Sequence, residues 1–230
     1  MVISKTQSSE KKDSNWFEFA MGLCIRLFSD YVSLKLLSKI EPTISIPTRF
    51  VMMIEIVEKA LKLHLTMHEK LDHSLSHYSD VYGHNIEKLR AKAETYNEIF
   101  ADADVKQFAK PFDDKAGALY QHLRYGSQKN INGFSTNLGV IMPIVEKIFY
   151  NCILRLEEND KKLVNNSSLL FSLITGSQLD QSYNREFLLE AVKLDNPYYN
   201  EYADYCKMLD HEQKRMIEQF STSLHINENS

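Results

Sequence analysis

The chain has 230 residues, 43% hydrophobic and 25% charged, enough apolar material for one large domain or a domain with an appendix. A formal net charge of −4 argues against a dedicated nucleic-acid surface, which needs a basic excess. With only 7 glycines and 5 prolines, the chain lacks the turn residues that a sheet protein consumes, and an all-α fold is expected.

Residues 1–13 are polar, have no apolar signal-peptide core and read as a disordered tail. A first helix is predicted from Ser14 or Asn15, where Asn15 and Glu18 have capping-box spacing, to Lys39. Its apolar positions, Phe19, Leu23, Leu27, Tyr31, Leu34 and Leu37, recur at helical spacing, and Glu41-Pro42 ends it. Pro47 or Thr48 opens a second helix that runs to about Lys70. Its apolar arc exceeds half the circumference, so other helices must cover it on several sides. Its polar sector carries Glu55–Lys59 and Glu58–Lys62, both with favourable i,i+4 polarity.

A polar connector, 71–83, leads to a third helix predicted from Asn85 to about Phe100. Residues 101–126 hold one or two short helices broken near Pro111, and 127–135 form a loop. A long helix is expected from about Thr136 to Glu158, with Pro143 as a kink point. Residues 165–182 carry a short helix at most. Two helices follow, Asn184–Leu194 and Pro197–Ser221, before a polar tail at 224–230.

Cys24, Cys152 and Cys206 are odd in number and lack CxxC spacing. They read as buried, reduced core residues, which implies a reducing compartment and a cytoplasmic location. No stretch reaches the roughly 20 apolar residues of a membrane span.

Five histidines, His64, His68, His73, His77 and His84, fall within a short stretch. His64–His68 and His73–His77 have the i,i+4 spacing that can bind zinc. On one continuous helix the two pairs would face opposite ways, and no further ligand completes a tetrahedral set. Surface and half-buried histidines are therefore expected, with no metal. Tyr198, Tyr202 and Tyr205 form a stripe that serves either as a stacking platform or, more simply, as core packing. Phosphate-cradling loops and nucleophile motifs are absent, so neither a cofactor nor a catalytic residue is indicated.

Three motifs occur in order: Glu58-Lys59-Ala60-Leu61-Lys62, then Gly83-His84-Asn85-Ile86-Glu87-Lys88-Leu89, then Leu123-Arg124-Tyr125-Gly126. Together they resemble the HEPN family of helical domains, whose second helix often reads "aEkalKall", whose third opens "HdLxxL", and where "RYp" follows. Asn85 and Ile86 stand for the usual Asp and Leu, and Gly126 for the common proline. The resemblance spans about residues 16–158. It implies an up-and-down helical bundle at 14–160, with 161–223 as a helical C-terminal extension packed on it. It also implies a ligand site at Glu58, Lys62, His84, Arg124 and Tyr125, and a tendency to form homodimers. Many such domains act beside nucleotidyltransferases or inside toxin–antitoxin and defence systems. The family's ribonucleases carry Arg, four to six residues, then His. None of Arg26, Arg49, Arg90, Arg124, Arg155, Arg185 and Arg215 has a histidine so placed. The expected function is thus a non-catalytic binding or regulatory module for a nucleotide or other anion. The alternatives are a ribonuclease toxin with a diverged site, or a pure protein-interaction subunit paired with a nucleotidyltransferase. The same polar residues also admit a purely structural reading, with Arg124 paired to Glu58 or to a helix C-terminus, His84 capping the third helix and Lys62 solvated.

Overall fold

The computed structural model describes residues 7–40, 46–70, 82–113, 138–154, 169–176 and 184–227. Among these residues the secondary structure is helical throughout, with no strand, in keeping with the scarcity of turn residues. We number the helices α1 (Gln7–Ile40), α2 (Ile46–Glu69), α3 (Ile86–Glu94), α4 (Ala103–Ala109), α5 (Leu138–Leu154), α6 (Leu169–Thr175), α7 (Arg185–Lys193) and α8 (Tyr199–Asn227).

Helix α2 is the centre of the fold. It packs against α1, α3 and α5. Phe50, Met53, Ile54, Ile56, Val57, Leu61, Leu63 and Leu65 are all essentially inaccessible, which is the wide apolar arc that its sequence requires to be covered. Helix α1 buries Leu23, Leu27, Phe28, Tyr31 and Leu34 at helical spacing and also contacts α6 and α7. The Phe149 ring of α5 locks the first helix in place: it stacks on Tyr31 with centroids 4.0 Å apart and meets Phe28 edge-on at 5.4 Å. Helix α8 rests on α6 and α5 through Tyr202, Cys206 and Leu209, and these residues share one buried cluster with the first two helices.

Several boundaries differ from the sequence expectation. Helix α1 begins at Gln7, so Asn15 lies inside it and is not its cap. Helix α8 continues to Asn227, into the stretch expected to be a tail. The third helix stops at Glu94 instead of reaching Phe100. Asn97 is the cause: its side chain accepts the Ile99 N–H at 3.1 Å and starts a 3-10 segment at Glu98–Ala101. Arg90 then clamps that reversal by donating to the Phe100 carbonyl at 2.6 Å. The α3 N-cap is Asn85, whose side chain accepts the Lys88 N–H at 2.8 Å, and not His84. Pro143 lies inside α5, where its missing N–H removes the i→i+4 donor to the Gly139 carbonyl.

Short polar links fix the C-terminal helices. Arg185 of α7 donates to the Leu173 and Ile174 carbonyls, both at 2.9 Å, placing a cation on the C-terminal end of α6. Gly176 follows that end at φ +76°, a conformation for which glycine is suited. Asp195 takes φ 50° just after α7 and turns the chain towards Pro197.

Candidate functional site

The sequence-derived cluster assembles in part. His84 Nδ1 lies 3.0 Å from Glu58 Oε2, and Lys62 Nζ lies 2.5 Å from Glu58 Oε1. Burial raises the Glu58 carboxyl's pKa. The His84 hydrogen bond and the charge of Lys62 more than offset it, so the group is held below the ordinary carboxylate value. Glu58 is 7% exposed while the His84 side chain is 49% exposed, so the pair lies at the rim of the core. This carboxylate already engages both side chains. Arg124 and Tyr125 lie outside the described residues, as do His73 and His77.

A second constellation was not singled out by sequence reasoning. Lys35 of α1 and Glu146 of α5 form an ion pair at 2.7 Å, each side chain 1% exposed. Lys35 also donates to the Leu194 carbonyl. Tyr31 donates to the other Glu146 oxygen at 2.7 Å, and Asn196 Nδ2 donates to Tyr31 Oη at 2.9 Å. Burial pushes the Glu146 carboxyl's pKa up against the pull of Lys35 and Tyr31, and pushes the Tyr31 hydroxyl well up. The signal available in the sequence was a lone charge on the apolar stripe of each of two helices. Lys35 sits one turn past Tyr31, and Glu146 interrupts an apolar run. A charge buried in that way needs a partner.

This network borders a cleft of about 870 Å³. Lys35, Arg49 and Lys193 line the cleft, and the carboxylate among the described lining residues is Asp195. Arg49 is 6% exposed and lies in the first turn of α2, where the helix dipole is positive. Leu138 and Gly139, which open α5, form part of the same wall. Ser38 Oγ, also in the wall, is buried and has no hydrogen-bond partner among the described residues. A concave, mostly apolar cleft with a few convergent cations can hold an anion.

The histidine pair at 64 and 68 lies elsewhere, beside a cavity of about 480 Å³. His64 is fully buried and neither ring nitrogen has a hydrogen-bond partner among the described residues. Its ring meets His68 at 4.4 Å and Phe100 at 5.2 Å, and burial, with the charge of His68 added, lowers its pKa to about 3. Among the described residues no group of three or more His, Cys, Asp or Glu is placed to hold a metal ion. The three cysteines are free thiols and buried. Tyr202 is a core residue at 5% exposure, and Tyr198 stacks on Tyr150 at 4.6 Å. No helix among the described residues is long and apolar enough to cross a membrane.

No protein-family model, curated protein or solved structure matches this chain.

Proposed function

We propose that this chain is a non-catalytic helical binding module that takes an anionic ligand in the cleft between α1, α2, α5 and α7. The observation that carries the reading is the convergence of Lys35 and Arg49, both nearly fully buried, on a cleft of about 870 Å³. That size is in the range of sites that enclose a small organic ligand. Lys35 has three N–H donors, and two are engaged by Glu146 and Leu194. The resemblance to HEPN domains supports a regulatory role beside a partner such as a nucleotidyltransferase, in which binding and not turnover is the task. His84, Glu58 and Lys62 serve on this reading as a hydrogen-bonded strut between α2 and α3, because Glu58 already engages both side chains.

Titration calorimetry with inorganic phosphate, ATP and a simple carboxylate tests the reading. Saturable binding by at least one of these anions is expected, weakened by Lys193→Glu and by added salt. Absence of binding by all of them removes the reading.

Self-association is part of the same proposal. The α8 face that buries Tyr202, Cys206 and Leu209 continues at helical spacing to Met216 and Ile217, which are 40% and 66% exposed. Light scattering at tens of micromolar is expected to give a dimer, and a Met216→Glu/Ile217→Lys variant a monomer. A wild-type monomer in that range, where ~1 μM affinities register, would count against it.

A further inference from the structure

We propose that the outer face of α1 forms a two-fold contact with a second copy of this chain, the two α1 helices crossing antiparallel at Gly22. The contact goes beyond the α8 face described above and is separate from it. Glu18, Gly22 and Arg26 follow one another at intervals of four residues, and all three are exposed. They form one row on the helix surface, with a negative end, a gap and a positive end. Neither Glu18 nor Arg26 has an ion-pair or hydrogen-bond partner among the described residues. The two charges stand about 12 Å apart along the axis, too far to neutralise each other within the helix. Ile25, 51% exposed, and the exposed Ser29 border the row.

The chain's own packing does not call for Gly22. Glycine inside a helix is unfavourable relative to alanine. A Cβ built at position 22 meets nothing within 4 Å, so no neighbour in the chain requires its absence. A second backbone approaching at that point does require it. Two helices that interdigitate their i, i+4 rows cross at about −50°, and the side chains at the crossing set how far apart the axes lie. Glycine at the crossing lets the two rows come close. In the antiparallel arrangement, residues equally far to either side of Gly22 face each other across the two-fold axis. Glu18 of each copy then meets Arg26 of the other, and one charge pattern yields two ion pairs, as a self-complementary contact requires. A parallel arrangement sets Glu18 on Glu18 and Arg26 on Arg26, and this repulsion selects the direction. A single helix crossing is small against a standard interface of about 1,600 Å². The α1 contact is therefore weak, and adds to the α8 face without replacing it.

Disulfide trapping on the whole protein, with oxidised glutathione as the oxidant, is the test. The native cysteines are buried, so an introduced surface thiol is the one that reacts. Gly22→Cys places that thiol at the two-fold axis, where it faces its own copy. Ser33→Cys is the comparison: it is exposed on the same helix, and its copy would lie about 30 Å away. A disulfide needs Cα atoms within about 7 Å, so Gly22→Cys is expected to form a covalent dimer on the order of tenfold faster than Ser33→Cys. Adding Glu18→Arg or Arg26→Glu to Gly22→Cys should slow trapping about fivefold, since each creates two like-charge contacts. Adding both exchanges together should restore the rate. Trapping should also persist in the Met216→Glu/Ile217→Lys background, which leaves α1 unchanged, so the α8 dimer and the α1 contact are read separately. Equal rates for Gly22→Cys and Ser33→Cys reflect random collision and overturn the proposal. Single charge exchanges without effect, or a double exchange that fails to restore the rate, overturn the antiparallel pairing. Loss of trapping in the α8 variant overturns the claim that α1 pairs by itself.

Discussion

Lys35 and Glu146 meet at 2.7 Å in the interior although 111 positions separate them in the chain. This contact joins α1 to α5 across the helix bundle, and the Leu194 carbonyl and the Tyr31 hydroxyl complete it. Each of these buried side chains has the other as its charge partner. Lys35→Met is therefore expected to destabilise the protein by about 3–5 kcal/mol, because it strands the Glu146 carboxylate. The double variant Lys35→Met/Glu146→Met should recover most of that loss. Urea denaturation of the two single variants and the double measures it. A single-variant cost below about 1 kcal/mol would show that the pair is not buried in solution.

His64 makes stability depend on pH. Its folded-state pKa lies at about 3, against 6.5 for an exposed histidine, because burial disfavours the charged ring. The unfolded chain thus binds the proton more readily between those two values. The contribution is complete above pH 6.5 and is lost as the pH falls below it, by about 1.4 kcal/mol per unit. The groups beside the ring are His68, Tyr96 and Phe100, of which His68 adds repulsion to a charged His64. His64→Leu removes this dependence. Relative to that variant, the wild type should lose about 2 kcal/mol between pH 7 and pH 5. Parallel denaturation curves over that interval would sink the assignment.

The pattern of the chain conveyed the helical class and most helix centres, because amphipathic spacing is a local property. Asn184 before α7, and the start and end of α2, fall within a residue or two of expectation. The end of α3 did not follow from spacing, since Tyr96 and Phe100 continue the helical period and only the Asn97 side chain, with Arg90 reaching Phe100, breaks it. The His84–Glu58 contact was legible because a helix start next to a neighbouring helix brings those positions together. The cleft was not. Lys35, Arg49, Glu146 and Asn196 come from four distant stretches of chain, and only the packing of α1, α2, α5 and α7 unites them.

The Glu58 carboxylate provides a pH dependence of opposite origin but the same direction. Its pKa is depressed in the fold below the ordinary 4.5 by His84 and Lys62 acting against its burial. Its stabilising contribution is present above pH 4.5 and is lost as the pH falls through the lower folded value. Glu58→Gln should therefore be less stable than the wild type at pH 7, with the gap closing below pH 4.5. His84→Ala should cost less than Glu58→Gln, since the imidazole is half exposed and screened by water. Denaturation midpoints of the three proteins at pH 7 and near pH 3.5 test this. A gap that widens on acidification contradicts the assignment.

Arg90 tests whether a guanidinium, and not merely a positive charge, ends the third helix. Its Nε and Nη2 donate to the two oxygens of Glu87 at 2.8 and 2.7 Å. Its Nη1 reaches Glu94 at 2.5 Å and the Phe100 carbonyl at 2.6 Å. Four acceptors in three directions match the planar fork of arginine, and the side chain is only 5% exposed. The contact to Phe100 holds the 3-10 reversal against α3. That reversal in turn sets where α4 begins, and Lys147 of α5 meets Asp104 there at 2.6 Å. A lysine has one nitrogen and cannot span these acceptors, so it leaves either Glu87 or the Phe100 carbonyl unpaired. Arg90→Lys is expected to destabilise by about 2–3 kcal/mol despite conserving charge. Amide hydrogen exchange should accelerate at Phe100 and Ala101 before it does in α2, because the reversal loses its clamp while the central helix keeps its own packing. Equal stability of Arg90→Lys and wild type would show that the fork geometry is not what holds this turn.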